Sequence, residues 1–158
     1  SNMKRASGAC PVKKFKDAGV NVALGKDGAA SNNRLNGLAG MQAAALLAKL
    51  DSGDPTALSA SESIRMATLD SARALGLDHV TGSLEPGKSA DFISVDLSEI
   101  NMAPTHQLES NVVSASSGTE VTWRRVSGNT VVKTRQLQHL DIAALRDTAA
   151  LWRAKLSG

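Results

Sequence analysis

Asp27 is the residue whose surroundings point most directly to chemistry. It follows a short apolar run, Val20-Asn21-Val22-Ala23-Leu24, and lies in the turn Gly25-Lys26-Asp27-Gly28. A carboxylate at the C-terminal end of a buried strand can ligate a metal or accept a proton, and barrel enzymes place their catalytic groups there. An Asp between Lys and Gly is also an ordinary turn residue, and the residues alone leave both readings open. Ser31, Asn32 and Asn33 continue the same loop. They could bind a substrate or shape its pocket, and the same residue types favour loop and helix-capping roles. The three histidines, His79, His106 and His139, are far apart, with no H-x-H or H-E-x-x-H spacing. A catalytic zinc site uses three protein ligands plus water, so these histidines make no ligand set and read as surface or loop residues. Cys10 is the one cysteine, so no intrachain disulfide is possible. With no His nearby it reads as a small buried hydrophobe.

The elements that must position Asp27 can be read on either side of it. Residues 1–10 are small and polar and read as a loop. Pro11 to Ala18 reads as a short helix, with Pro11 at its first position and Gly19 at its stop. Val20 to Leu24 is β-branched and apolar, as a buried strand requires. A second helix is expected from about Leu35 to Lys49. A third opens at Ser59, which forms an S-x-x-E capping box with Glu62, and Gly76 ends it. Ile64, Ala67, Ser71 and Leu75 trace one face of this third helix. The alternation is that of an α/β fold with helices flanking a parallel sheet. Only one such strand is present, and a lone parallel strand cannot satisfy its own backbone groups.

After Gly82 the pattern changes to short β-type runs at Asp91–Asp96, Val112-Val113, Val121–Val126 and Thr130–Val132. Ser127-Gly128-Asn129 reads as a hairpin turn. Asp141 then caps a final helix with Ile142, Leu145, Ala149, Trp152 and Leu156 on one stripe, and Arg153 and Lys155 suit its C-terminus. A boundary near residue 80 separates the α/β part from the β-rich part.

Composition excludes several classes. Of 158 residues 42% are hydrophobic and 3% aromatic, so the core must be built from Ala, Val, Leu and Ile. The net charge of +3 comes from 18 basic and 15 acidic residues scattered along the chain. No basic stripe or set of stacking aromatics marks a nucleic-acid binder. No apolar run reaches the roughly 20 residues of a membrane span, and the N-terminus has no apolar signal region. A single Cys fits a reducing, cytoplasmic location. The length falls short of the about 250 residues of a complete eight-stranded barrel.

Several segments resemble one family. NVALGKDGAASNN is similar to the eighth barrel strand and following loop of the methylthioadenosine/S-adenosylhomocysteine deaminases, and SNMKRASGACPV to their loop after the seventh strand. ESIRMATLDSARALGL and GSLEPGKSADFISVD resemble the helix and strand that lead out of the barrel across the wider amidohydrolase superfamily. VTWRRVSGNTVV looks like the last hairpin of the adjoining β-sandwich. The resemblance runs along nearly the whole chain, and DGAASNN narrows it to the deaminase and chlorohydrolase branch.

The resemblance implies an α/β fold class: the last strand and flanking helices of a metal-dependent hydrolase (β/α)8 barrel, plus the C-terminal part of the adjoining β-sandwich, with the barrel incomplete. Residues 1–80 would be the C-terminal portion of the barrel, residues 81–140 part of the composite β-sandwich, and residues 141–158 a C-terminal helix. The implied activity is hydrolytic deamination of an adenosine-type nucleoside such as methylthioadenosine or S-adenosylhomocysteine. It would use a divalent metal, zinc in the first instance and iron or manganese otherwise. In the family, the Asp matching Asp27 contacts the metal and takes the proton of the attacking water. Ser31, Asn32 and Asn33 would be substrate-binding residues. The family's other metal ligands and its catalytic Glu have no counterpart here, so the chain alone is expected to be inactive and to need the missing N-terminal portion of the barrel as partner, with homo-oligomers common in the family.

Three departures from the family pattern qualify the activity. Lys26 stands where Thr or Ser is usual, and a cation beside a metal ligand competes with the metal, although strand alternation allows its side chain to point away. Arg34 and Asn36 stand where acidic residues are common. The whole protein could then be a working enzyme, a variant with another substrate or a weakened copy. The rival activities are another amidohydrolase chemistry (guanine or cytosine deamination, or dechlorination of a triazine) and a non-catalytic truncated chain acting only in assembly.

Overall fold

The clearest local signal becomes a helix start of the expected kind. In a computed structural model of the chain, which describes residues 2–157, Ser59 Oγ accepts from the Glu62 amide at 3.3 Å while Glu62 Oε2 accepts from the Ser59 amide at 2.7 Å. This reciprocal box satisfies two amides that no helical carbonyl can reach. Ser1 and Gly158, which end the expected 1–80 and 141–158 segments, lie outside the described residues.

In chain order the elements are α1 (Asn2–Arg5), α2 (Val12–Asp17), α3 (Gly37–Ser52), α4 (Ala60–Ala67), α5 (Leu69–Ala74), β1 (Phe92–Val95), a 3₁₀ turn (Ile100–Met102), α6 (Leu108–Ser114), β2 (Val121–Val126), β3 (Asn129–Lys133), β4 (Gln136–Leu137) and α7 (Ile142–Leu156). Pro11 sits at the N-cap of α2 rather than its first helical position, and the N-terminal loop contains the single turn α1. The one helix expected from Ser59 to Gly76 is two, broken at Thr68. Thr68 Oγ1 donates back to the Ile64 carbonyl at 2.7 Å, and Ser71 Oγ to the Met66 carbonyl at 2.7 Å. Such back-bonding competes with the helical ladder. It also leaves the Met66 carbonyl to accept from the Leu24 amide at 3.1 Å. Leu75, placed on the inner face by its spacing, is 73% exposed beyond the end of α5.

Two expected strands are corrected. Val20–Leu24 is not in a sheet: among the described residues no strand pairs with it, and Leu24 instead bonds to Met66 and to Ser71 Oγ at 3.2 Å. Its side chains still alternate as a strand's would. Val22 and Leu24 are half-buried against the helices, while Asn21, Ala23 and Gly25 are exposed. Val112-Val113 lies in α6, with Val113 buried against Leu38, Met41 and Ala45. Two adjacent β-branched residues carry a weak strand signal, and packing against α3 and α4 overrides it.

The helices enclose two contiguous apolar clusters. One joins Val12, Ala48, Leu58 and Met66, and the other Leu38, Met41, Ala45 and Val113. Leu24 packs against both, so the extended segment before Asp27 is wedged between helices. Strands β1 to β4 form an antiparallel sheet in sequential order. The β2–β3 turn is the two residues Ser127 and Gly128, both at positive φ (49° and 76°), and Asn129 already pairs with Val126. Two left-handed residues match the twist of a two-residue hairpin. Asp91 ties this turn to the motif before β1, accepting from the Ser127 amide at 2.6 Å and from Thr81 Oγ1 at 2.8 Å. These hydrogen bonds, the Ser127 amide first, lower the Asp91 pKa. Asp141 caps α7 as expected, accepting from the Ala144 amide at 3.1 Å, but the apolar stripe of α7 is exposed along its whole length. No helix of the described residues is long and apolar enough to cross a membrane.

A buried carboxylate ties the loop between α6 and β2 to the 3₁₀ turn. Glu120 is 1% exposed and accepts from Ser116 Oγ (2.8 Å), Ser117 Oγ (3.0 Å), the Gly118 amide (2.8 Å) and Asn101. Burial alone would raise its pKa, but its own backbone amide, Asn101, Ser116 and the Ser117 amide outweigh burial and hold it far below the usual carboxylate range. Lys16 first, with Ser59 adding to it, holds Glu62 down from 4.5 to about 2 against the opposing effect of burial. Both groups have folded pKa values below their unfolded ones. Their contribution to stability is therefore complete above pH 4.5 and is lost as pH falls through the folded values. The urea midpoint is expected to hold steady from neutrality to about pH 5 and then to fall. In Glu62→Gln the fall between pH 4.5 and about 2 becomes shallower. A wild-type midpoint that stays flat over this range would contradict the assignment.

Candidate functional site

The extended segment carries Asp27 to the rim of a cleft of about 430 Å³, within the usual range for small-molecule sites. Its walls come from the loop before α2 (Gly8, Cys10), the run from Val22 to Asp27, Asn32, and the face of α3 bearing Gly40, Ala43, Ala44 and Leu47. Asp27 is exposed, and among the described residues no hydrogen bond or ion pair reaches its carboxylate. It is a solvent-facing acceptor on a cleft that also carries Lys26 and Asn32.

The three residues read as substrate-binding part company. Asn32 lines the cleft, and its Oδ1 accepts from the Arg34 amide at 3.3 Å. Ser31 turns back on the loop, its Oγ 3.4 Å from the Gly28 carbonyl. Asn33 Oδ1 accepts from Lys4 and so ties the loop to α1. None of the three caps the next helix. Asn36 does, accepting from the Ala39 amide at 3.2 Å while its Nδ2 donates to the Ser117 carbonyl at 2.7 Å.

His79, His106 and His139 are exposed and none lines the cleft. Cys10 is exposed too, at the cleft wall, which corrects its reading as a buried hydrophobe. A solvent-facing cleft wall needs no apolar filling, and residue type alone does not report that setting. Among the described residues no group of three or more His, Cys, Asp and Glu side chains could hold a metal ion. The donor set here is one carboxylate. One carboxylate can fill a single position in a metal's coordination sphere, and a catalytic zinc takes three protein ligands.

Lys26 and Gly40 belong to the same cleft, and Gly40 was not singled out in the sequence. The side chain of Lys26 lies over Gly40, with Cε 2.7 Å and Nζ 2.8 Å from where a Gly40 Cβ would stand. A legible signal existed: a glycine inside an alanine- and leucine-rich helix, where glycine costs about 1 kcal/mol relative to alanine, marks a close approach.

The sequence profile of the amidohydrolase family matches residues 1–131. The chain belongs to the amidohydrolase family. Among curated amidohydrolase relatives, the 5-methylthioadenosine/S-adenosylhomocysteine deaminase of Teredinibacter turnerae is 47% identical over 156 residues, covering 99% of this chain and 35% of that protein. Among solved structures, a zinc-bound adenosine deaminase from Xanthomonas campestris superimposes with a TM-score of 0.95 at 42% identity, covering 99% of this chain and 36% of that one. A zinc complex of the atrazine chlorohydrolase of Arthrobacter aurescens TC1 gives a TM-score of 0.84 at 29% identity, over 95% of this chain and 34% of that one. The chain spans about a third of the length of the curated amidohydrolases it matches.

Proposed function

We propose that this chain is the C-terminal part of a metal-dependent deaminase that acts on an adenosine-type nucleoside, methylthioadenosine or S-adenosylhomocysteine. The observation that carries the reading is the 47% identity to a deaminase of that name over 156 residues, which include the loop bearing Asp27. Identity to the chlorohydrolase is lower, at 29%, and favours deamination over dechlorination. Residues 1–80 then complete a (β/α)8 barrel, with Val20–Leu24 as its last strand paired to a strand from the preceding portion. Residues 81–140 contribute to a composite β-sandwich, and residues 141–158 form the closing helix. Among the described residues no strand pairs with Val20–Leu24, although its side chains alternate between half-buried and exposed as a strand's do, and this supports that arrangement. A cytoplasmic location accords with this reading.

The reaction replaces the amino group of the purine ring by oxygen. Water adds to the ring carbon, a C–O bond forms, the C–N bond breaks and ammonia leaves. A divalent metal, when bound, brings the pKa of a water close to neutrality. Asp27 serves as one ligand and as acceptor of the proton that the attacking water gives up. Among the described residues nothing bonds to its carboxylate, which leaves both oxygens available for these roles. Asn32, which lines the same cleft, would hydrogen-bond the substrate.

The test is ammonia release by the protein of the full open reading frame, loaded with zinc, from methylthioadenosine and S-adenosylhomocysteine. Guanine and cytosine are assayed in the same way, and a chlorinated triazine by chloride release. The expected result is turnover of the nucleosides in preference to the rest. Turnover of guanine or the triazine alone transfers the protein to another branch of the family. No turnover of any of them, with metal bound, overturns the enzymatic reading in favour of an assembly role.

A further inference from the structure

Lys26 places a cation next in sequence to the carboxylate that must attract a metal, yet it takes part in none of the ion pairs of the described residues, as the alternation of an extended segment allows. Leu24 and Lys26 share one face of the extended segment by strand alternation, and that face meets α3. There the end of Lys26 fills the space a side chain on Gly40 would need, with Leu24 Cδ2 3.9 Å from the same point. Gly40 is buried and helical, and its φ is not positive, so its backbone makes no demand for glycine. Glycine is among the poorest helix formers. What it provides here is room.

We propose that Gly40 is a positioning residue: its missing side chain gives Lys26 a slot against α3 and keeps the ammonium off the Asp27 carboxylate, which stays free for a divalent cation. This rests on the reading of Asp27 as a metal ligand. An alanine at position 40 displaces the flexible end of Lys26, and the adjoining open space is the cleft that Lys26 shares with Asp27. Alanine strengthens the helix, so Gly40→Ala keeps the fold.

The experiment measures Zn²⁺ affinity of the full-length apoprotein by competition with a chromophoric chelator, a readout independent of turnover. Gly40→Ala is expected to bind zinc about 30-fold more weakly, the effect of one unit charge brought to about 4 Å from a doubly charged ion in a water-like dielectric. Adding Lys26→Thr to Gly40→Ala is expected to restore the affinity, since the displaced charge is gone. If Gly40→Ala binds zinc as wild type does, or if Lys26→Thr fails to rescue it, the slot is refuted. Asp27→Asn separates the two readings. Loss of zinc there with no effect of Gly40→Ala overturns the slot alone, whereas retention of zinc overturns the ligand reading and the slot with it.

Discussion

Asp27→Asn in the full-length protein is expected to lower the kcat/KM of the proposed deamination by about 10²- to 10⁴-fold, the range for removing a group that accepts a proton in the transition state. Asn keeps the size and one oxygen of Asp but loses the charge and the basicity. The loss should therefore appear in kcat as well as in zinc content. The fold should not notice, because among the described residues the Asp27 carboxylate supports no hydrogen bond or ion pair and is exposed. Unchanged thermal unfolding of the metal-free protein beside a collapse of activity is the signature. If activity survives within tenfold, Asp27 is a turn residue and the catalytic assignment is wrong. A parallel loss of stability in the metal-free form would instead mean that the carboxylate is structural.

Gly82→Ala is expected to cost about 2–5 kcal/mol of stability, from backbone strain together with overpacking. Gly82 opens the GSLEPGKSADF motif at φ +91°. A Cβ there would lie 2.7 Å from Ala72 Cβ and 3.0 Å from Leu69 Cα, on the helix next to it. Neither neighbour can swing aside, because one is backbone and the other is fixed to it. Gly87 has the same φ of +91° with nothing within 4 Å of its added Cβ. Gly87→Ala should therefore show the strain alone, about 1–3 kcal/mol. Urea denaturation of both variants reads the difference. Equal losses would mean that the close approach to α5 contributes nothing.

Many local features of this chain could be read before any coordinates. The capping box of Ser59 and Glu62, the Asp141 cap, the β2–β3 hairpin and strand β1 all lie where residue type and spacing put them. Each depends on hydrogen bonds between residues a few positions apart, so a short window holds the whole cause. The place of Asp27 after an extended segment was legible for the same reason, and the DGAASNN and GSLEPGKSADF motifs were enough to indicate the family.

What no short window holds are effects of residues far along the chain. Val112-Val113 became helical because α3 and α4 offer an apolar groove that a helix fills. The helix after Ser59 breaks at Thr68, and the freed Met66 carbonyl meets the Leu24 amide, 42 positions earlier. Of Ser31, Asn32 and Asn33, only Asn32 lines the cleft, since loop hydrogen bonds to Gly28 and Lys4 turn its neighbours elsewhere. Residue types and local order thus indicated the family, the caps and the turn that carries Asp27, because those rest on near neighbours. Which way Lys26 points, what Gly40 makes room for and where the helix breaks were decided by tertiary packing, because each depends on atoms that only the folded chain brings within a few ångströms.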